Sequence, residues 1–527
     1  MSIQPVLIAG KWQTSKNPVG SFSAVNPATK SPLPAEYPIS GLDDIKQALP
    51  AGQEAVTTLR SLSPEPIAHF LELFANNIET RADELVELGH LETALPSEPR
   101  LRHVELPRAT NQLRQAARAA RARSWCQATL DTGSNIRSKF GPLGGPVVVF
   151  GPNNFPFAFN SAAGGDFAAA IAAGNPVIAK ANTGHPGTTK IFAEAAFDAV
   201  KASGLPLGMV QLIYRLPPDI GLKLVSHPLV GATGFTGSKS AGLRLKEAAD
   251  SAGKPIYLEM SSVNPIFILP GALQERSTAI ADELYNSCSL GAGQFCTNPG
   301  LTIIQQDESS AAFIEAVKTR FEQNKPQTLL GATGPKGIAE AIQVMQQHGA
   351  EIMTGGQEAS GPGYAFANTL LRVSGDTFLQ YPDIMQTEAF GTVNLIVVAQ
   401  NTAQMAAIAG CLEGNLTGCI YSHTGGADEA IYRQVEPILR QKVGRLLNDK
   451  MPTGVAVVPS MNHGGPYPAT GHPGFTAVGI PASMLRFAAL HCYDNVRPHR
   501  LPPELQDKNP TGAMWRLIDG DWTQRDI

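Results

Sequence analysis

Long apolar runs are missing from this 527-residue chain. The most apolar window, Phe157 to Ala181, is broken by Asp166 and Asn175 and is rich in Gly and Ala. It reads as a buried helix and not as a membrane span. Met1-Ser2-Ile3-Gln4-Pro5 lacks the basic stretch and apolar core of an export signal. Cysteine is scarce: Cys126, Cys288, Cys296, Cys411, Cys419 and Cys492 have no framework spacing, which excludes a disulfide scaffold and suits a reducing cytoplasm. Asn415-Leu416-Thr417 fits a glycosylation sequon, but without a secretory signal the match is accidental. Charged residues make up only 16% and the formal net charge is −4, so neither a nucleic-acid footprint nor an anionic-membrane patch is expected. One local basic cluster, Arg100, Arg102, Arg108, Arg114, Arg118, Arg121 and Arg123, alternates with Ala and Leu and reads as the solvated face of a long helix.

What is present is core. Hydrophobic residues reach 43%, ample for a large folded chain of two or three domains. Val6 to Trp12 reads as a short strand and turn, and helical periodicity follows from about Gly41 to Ala119. Between Ala128 and Arg137 polar and β-branched residues alternate, as in an exposed hairpin open to subunit pairing. From Pro146 the pattern changes to apolar strands (147–150, 176–179, 210–214, 230–234 and 256–258) separated by helices that include 188–202 and 238–252. Nearly continuous apolar strands alternating with helices make a parallel sheet covered on both faces. A second α/β alternation runs through Leu301–Gln305, Ala311–Gln323 and Leu395–Ala399, and a Pro- and Gly-rich tail follows. The expected division is residues 1–270 with a hairpin at about 126–141, residues 271–455, and a wrapping segment at 456–527.

Two short segments carry the chemistry. Gly293-Gln294-Phe295-Cys296-Thr297 sets a cysteine in a loop too Gly-rich and polar for a helix interior. Glu259 ends a β-type run 37 residues upstream (259 to 296), where a side chain can point into a cleft. A thiol nucleophile and a carboxylate base are the pair needed to form a thioester and hydrolyse it. Each also has a plain reading: most intracellular cysteines are small core hydrophobes, and Glu259 by spacing alone is a strand-end carboxylate. Asn154, in Gly151-Pro152-Asn153-Asn154-Phe155-Pro156, could by itself be loop punctuation. No G-x-G-x-x-G follows a strand. Instead Gly234-Phe235-Thr236-Gly237-Ser238 joins a strand to a helix N-terminus, which suits a pyrophosphate or simply an N-cap at Ser238.

Taken together, these segments resemble the aldehyde dehydrogenase superfamily over nearly the whole chain. The resemblance implies an α/β fold with a Rossmann-type parallel-sheet domain, a second α/β domain carrying the nucleophile, and a small oligomerisation hairpin and tail. It implies Cys296 as nucleophile, Glu259 as the base that activates water, and Asn154 as an amide donor to the oxyanion beside the Cys296 N–H. The Glu259 segment departs from the family's Leu-Glu-Leu-Gly-Gly pattern, with Ser261 and Ser262 in place of glycines, at a cost of roughly 1 kcal/mol if either needs φ > 0. Asn153 replaces a common tryptophan. Cys288 keeps the core reading.

For the dinucleotide, NADP or NAD, the resemblance implies the Gly237-Ser238 turn, Lys180 at the adenosine ribose, and Glu388 with Phe390 at the nicotinamide ribose. Thr183 stands where NAD-preferring relatives often carry a glutamate, and Arg215 is either a charge for a 2′-phosphate or a surface arginine, so the pattern leans toward NADP. Ser261–Phe267, Pro452–Val455, His463–Thr470 and Leu501–Gln506 are similar to the 2,5-dioxopentanoate (α-ketoglutaric semialdehyde) dehydrogenase branch. The implied reaction is 2,5-dioxopentanoate to 2-oxoglutarate, with a broad-specificity or fatty aldehyde dehydrogenase as the alternative. The implied partners are a small aldehyde and further copies of the chain, as a homodimer or homotetramer. A catalytically silent member is disfavoured by the presence of Asn154, Glu259 and Cys296 together. A hydrolase or coenzyme A-dependent transferase is disfavoured by the dinucleotide residues.

Overall fold

A computed structural model describes residues 3–527. Its first seven-stranded sheet runs in the order 256–259, 232–236, 147–150, 177–180, 210–213, 6–8 and 11–13. The first five strands are parallel, and the N-terminal pair closes the edge antiparallel. Val147, Val148 and Val149 are at most 1% exposed, so the apolar run is sealed on both faces. Helices Gly165–Ala172 and Pro186–Ser203 help to seal it, the second starting on a proline and ending at Gly204 with φ +66°. Further out, Phe74 of helix Pro64–Thr80 meets Phe167 edge-on at 5.6 Å between centroids.

The second seven-stranded sheet has the order 351–354, 369–374, 393–399, 301–305, 266–268, 415–421 and 443–448, parallel apart from its first strand. The expected strands and helices are present, with ends shifted by a few residues. Strand 232–236 begins two residues later than expected, and the helix expected from Ser238 is Lys239–Ser251 with Ser238 as its N-cap.

Three expectations need correction. The window 157–181 is helical only over Gly165–Ala172, because Pro156–Gly164 is a run of turns and Val177–Lys180 is a strand. Among the described residues no helix is long and apolar enough to cross a membrane. The hairpin, Thr129–Asp131 with Ile136–Pro142, does not offer free edges: the tail strand Ala488–Asp494 pairs with one side and Arg516–Ile518 with the other. The arginine cluster is also not one solvated face. Arg102, Arg114, Arg121 and Arg123 bond carboxylates away from the cleft, whereas Arg100 and Arg108 turn inward toward Phe155.

The carboxyl ends of the parallel strands line up. Phe150 pairs in register with Lys180, Lys180 with Ile213, and Thr236 with Glu259. Ligands of open α/β sheets bind in the crevice beyond these ends.

Candidate active site

A cleft of about 440 Å³ opens at that edge, lined by Asn154, Gly237, Ser238, Glu259, Cys296, Glu388 and Phe390 among others. Cys296 arrives on a loop that begins with three left-handed residues, Gly291, Ala292 and Gly293. Gly293 has to be glycine, since a Cβ there would collide with the backbone of Gly391 in the loop that bears Glu388. Asn264, itself at φ +49°, donates its amide to the carbonyls of Cys296 and Asn298, each at 2.9 Å. The nucleophile loop is thereby pinned to the segment that follows Glu259.

Asn154 is 5% exposed and donates to the Gln294 carbonyl at 3.0 Å, so its amide already points at the cysteine loop. Glu259 is 1% exposed, and its Oε2 has no partner. Its Oε1 lies 2.8 Å from Nε2 of His463, and the same nitrogen lies 3.4 Å from the Cys296 sulfur. No local motif gives His463 a chemical role, although it stands in one of the segments similar to the semialdehyde dehydrogenase branch. A contact across 167 residues leaves no local trace, and only a histidine before two glycines in a loop hinted at it.

The protein's own groups raise the Cys296 thiol well above its ordinary value, through burial first and then the Glu259 and Glu388 carboxylates, with Arg108 opposing. The low-pKa thiolate that catalytic cysteines usually present is therefore not produced by these residues alone. Cys288 behaves as core: its sulfur bonds the Pro299 carbonyl at 3.2 Å, and burial pushes its thiol up.

The serines in place of family glycines carry no backbone strain, because neither Ser261 nor Ser262 has positive φ. Both bond Glu388, Ser262 through its N–H at 3.3 Å. Burial raises Glu388 to about 7, and those two donors pull it back. Lys180 is lowered to about 8 by burial and by the charge of Arg215. Lys180, Thr183 and Arg215 sit at the same sheet edge but outside the lining of the main cleft, with Thr183 and Arg215 exposed. Ser238 Oγ accepts from the Ala241 N–H at 3.4 Å as an N-cap, and Thr236, Gly237 and Ser238 line the cleft at this helix start. Asn182 lines the cleft as well and was not singled out from sequence. Asn415 of the sequon is buried and accepts from the N–H groups of Val263 and Asn264, so it is structural.

The sequence profile of the aldehyde dehydrogenase family matches residues 12–445. The chain belongs to that family. It is 37% identical over 516 residues to the alpha-ketoglutaric semialdehyde dehydrogenase 2 of Azospirillum brasilense, covering 95% of this chain and 96% of the relative. It is 33% identical over 520 residues to the alpha-ketoglutaric semialdehyde dehydrogenase of Acinetobacter baylyi, covering 96% of each. Among solved structures it superposes on 3,6-anhydro-L-galactose dehydrogenase with a TM-score of 0.80 at 19% identity, covering 93% of this chain and 99% of the other. Aldehyde dehydrogenase C of Pseudomonas syringae gives 0.79 at 21%, covering 94% and 98%. The protein is an aldehyde dehydrogenase that uses NAD or NADP. His463 lies beyond the stretch that the family profile matches.

Proposed function

We propose that the protein oxidises 2,5-dioxopentanoate to 2-oxoglutarate, with NADP favoured over NAD. One observation carries the chemistry: Cys296, Glu259 and the Asn154 amide converge on one cleft of about 440 Å³ at the carboxyl edge of a parallel sheet. The substrate reading draws its support from the two relatives named for that semialdehyde and from the tail segments shared with that branch.

The residues suit the dinucleotide. The Ser238 helix N-terminus would receive the pyrophosphate, Lys180 and Thr183 the adenosine ribose, and Glu388 with Phe390 the nicotinamide end. Arg215 is the candidate charge for a 2′-phosphate. When bound, the dinucleotide accepts the hydride.

Everything else falls to the chain. The Cys296 sulfur attacks the aldehyde carbon to give a thiohemiacetal, whose oxyanion takes hydrogen bonds from the Asn154 amide and the Cys296 N–H. Losing one such donor costs about 2.7–4 kcal/mol of barrier. Nε2 of His463 is within reach of both groups but serves one at a time: with its lone pair free it takes the thiol proton, which leaves to solvent so that Glu259 enters the hydrolytic step as a carboxylate. Loss of hydride leaves a thioester, and Glu259 draws a proton from water as that water attacks it. The products are the carboxylic acid and the restored thiol.

The test is a kcat/KM panel of 2,5-dioxopentanoate, succinic semialdehyde, glycolaldehyde and a fatty aldehyde with both cofactors and no coenzyme A. The highest value is expected for 2,5-dioxopentanoate with NADP. A fatty aldehyde at the top would favour the alternative, which the aromatic surroundings of Cys296 (Phe155, Phe159, Phe295 and Phe475) keep in view.

We further propose assembly into homodimers or homotetramers through the tail and hairpin sheet. Ala488–Asp494 is an edge strand there, and its Leu490 is 63% exposed.

A further inference from the structure

Arg108, third residue of helix Leu106–Ala122, is the surplus cation beside the catalytic loop. Its neighbour Arg100 is already engaged: Nε donates to Glu105 at 2.8 Å and a terminal nitrogen donates to the Asn154 carbonyl at 2.9 Å. Glu105 is saturated in turn, accepting from the N–H groups of Phe157 at 3.0 Å and Ala158 at 3.3 Å. Arg445, the other arginine whose charge is felt at Cys296, is spent on the carbonyls of Pro452 and Gly454. Arg108 has no hydrogen bond or ion pair among the described residues, and its Nε is sealed from solvent without a partner. Its guanidinium lies 5.4 Å from the centre of the Phe155 ring. That ring packs edge-on against Phe295 at 5.0 Å, and the two phenylalanines directly adjoin Asn154 and Cys296 in sequence.

The side from which Arg108 approaches is as informative as its lack of a partner. The dinucleotide cleft is lined by Cys296 but not by Arg108, Phe155, Phe159 or Phe475. Those three aromatic residues pack around Cys296 in a separate cluster. An aldehyde held against Cys296 opposite the dinucleotide would meet this cluster, which Arg108 flanks at Phe155. A half-buried guanidinium with no hydrogen-bonded carboxylate is costly, and the charge of nearby Glu105 and one aromatic face offset only part of that cost. A planar five-donor fork is the group best shaped for a carboxylate.

We propose that Arg108 is the anchor for the distal carboxylate of an ω-oxo acid substrate, a specificity residue that acts in binding and not in the bond-making steps. The assignment rests on the reading of the substrate as 2,5-dioxopentanoate in its charge, though not in its chain length.

The test compares matched pairs, 2,5-dioxopentanoate with pentanal and succinic semialdehyde with butanal, on the wild type, Arg108→Met and Arg108→Lys. Both members of a pair use the same thiolate, so any effect of Arg108 on Cys296 cancels in the ratio of their kcat/KM values. In Arg108→Met the acid-to-neutral ratio is expected to fall about 10- to 100-fold, the size of a lost charge-assisted hydrogen-bond pair, mainly through KM. Arg108→Lys should keep part of the ratio, because it retains charge without the fork. Glutarate, a non-reactive mimic, should inhibit the wild type competitively against aldehyde and lose about tenfold in affinity in Arg108→Met. A ratio within about threefold of wild type, or equal losses for acid and neutral aldehydes, overturns the assignment, as does a wild type that shows no preference for the acids. If succinic semialdehyde outruns 2,5-dioxopentanoate in the wild type, the substrate reading falls while the fall of the ratio in Arg108→Met still upholds the anchor. Thermal unfolding of Arg108→Met checks the fold, and its Tm should not drop, since an unpaired buried charge has been removed.

Discussion

Cys296 faces two carboxylates, one imidazole and one cation, and their balance holds its proton on. Burial contributes most and Glu259 next, so removing the Glu259 charge should lower the pH midpoint at which iodoacetamide alkylates Cys296. Glu259→Gln measured against wild type decides this, and an unchanged or raised midpoint would mean the carboxylate is not felt at the sulfur. His463→Phe removes the nitrogen within reach of both Cys296 and Glu259, and acylation should slow by about 10²–10⁴-fold, the usual scale of a lost proton acceptor. The burst of reduced cofactor in a stopped-flow record reports that step directly. Glu388, raised to about 7, gains its charge between pH 6 and 8. If the carboxylate form accepts from ribose hydroxyls, KM for the cofactor should fall as pH rises through that window, and Glu388→Gln should flatten the dependence. Thr183→Glu should cost one to two decades of kcat/KM for NADP while NAD holds steady, because a carboxylate would stand beside a dianionic phosphate. Equal losses with both cofactors would indicate a packing defect. Family resemblance singled out Cys296, Glu259 and Asn154, and the structure brings all three to one cleft. Sequence could not show His463 at the sulfur or Arg108 beside Phe155, because their neighbours come from distant parts of the chain.

Glu92 shows how one element is fastened to another. It ends helix Ala82–Thr93 and caps the start of helix Pro186–Ser203, accepting from the N–H groups of Gly187 at 2.8 Å and Thr188 at 2.9 Å and from the Thr188 hydroxyl at 2.7 Å. Burial raises its carboxyl to about 7, with those donors opposing. A carboxyl raised in the folded state lends stability that is complete below its unfolded value near 4.3 and is lost as pH rises through 7. Wild-type Tm should therefore fall between pH 6 and 8 by more than that of Glu92→Gln. Glu92→Ala should be less stable at every pH, since three donors lose their acceptor. A pH slope shared by wild type and Glu92→Gln would rule out Glu92 as its source. The parallel strands were legible because both faces are buried and each reads as an unbroken apolar run. Their ends were less so: Thr236 and Glu259 remain in register one or two residues past the apolar stretch, held by backbone pairing that no side-chain pattern reports.

The whole molecule is tied together by its tail. Residues 456–527 supply His463 to the cysteine, Met260 N–H bonds the Ala469 carbonyl at 2.8 Å, and the last strands complete the sheet begun by the hairpin. That the tail pairs with the hairpin and supplies a residue to the site was not legible, because strand pairing across more than 300 positions leaves no periodic signal. Ending the chain at Phe487 should leave the strand Ile136–Pro142 with a bare edge, and light scattering should detect aggregation.

The central claim is that Cys296 carries the substrate as a thioester that Glu259 helps to hydrolyse. Mixing the Glu259→Gln protein with 2,5-dioxopentanoate and NADP, quenching in acid and mapping peptides by mass spectrometry tests it most directly. The account predicts one equivalent of reduced cofactor formed in a burst and an acyl adduct on the peptide containing Cys296, absent in Cys296→Ala and present in Cys288→Ala. Steady turnover without an adduct, or an adduct on another cysteine, would contradict it.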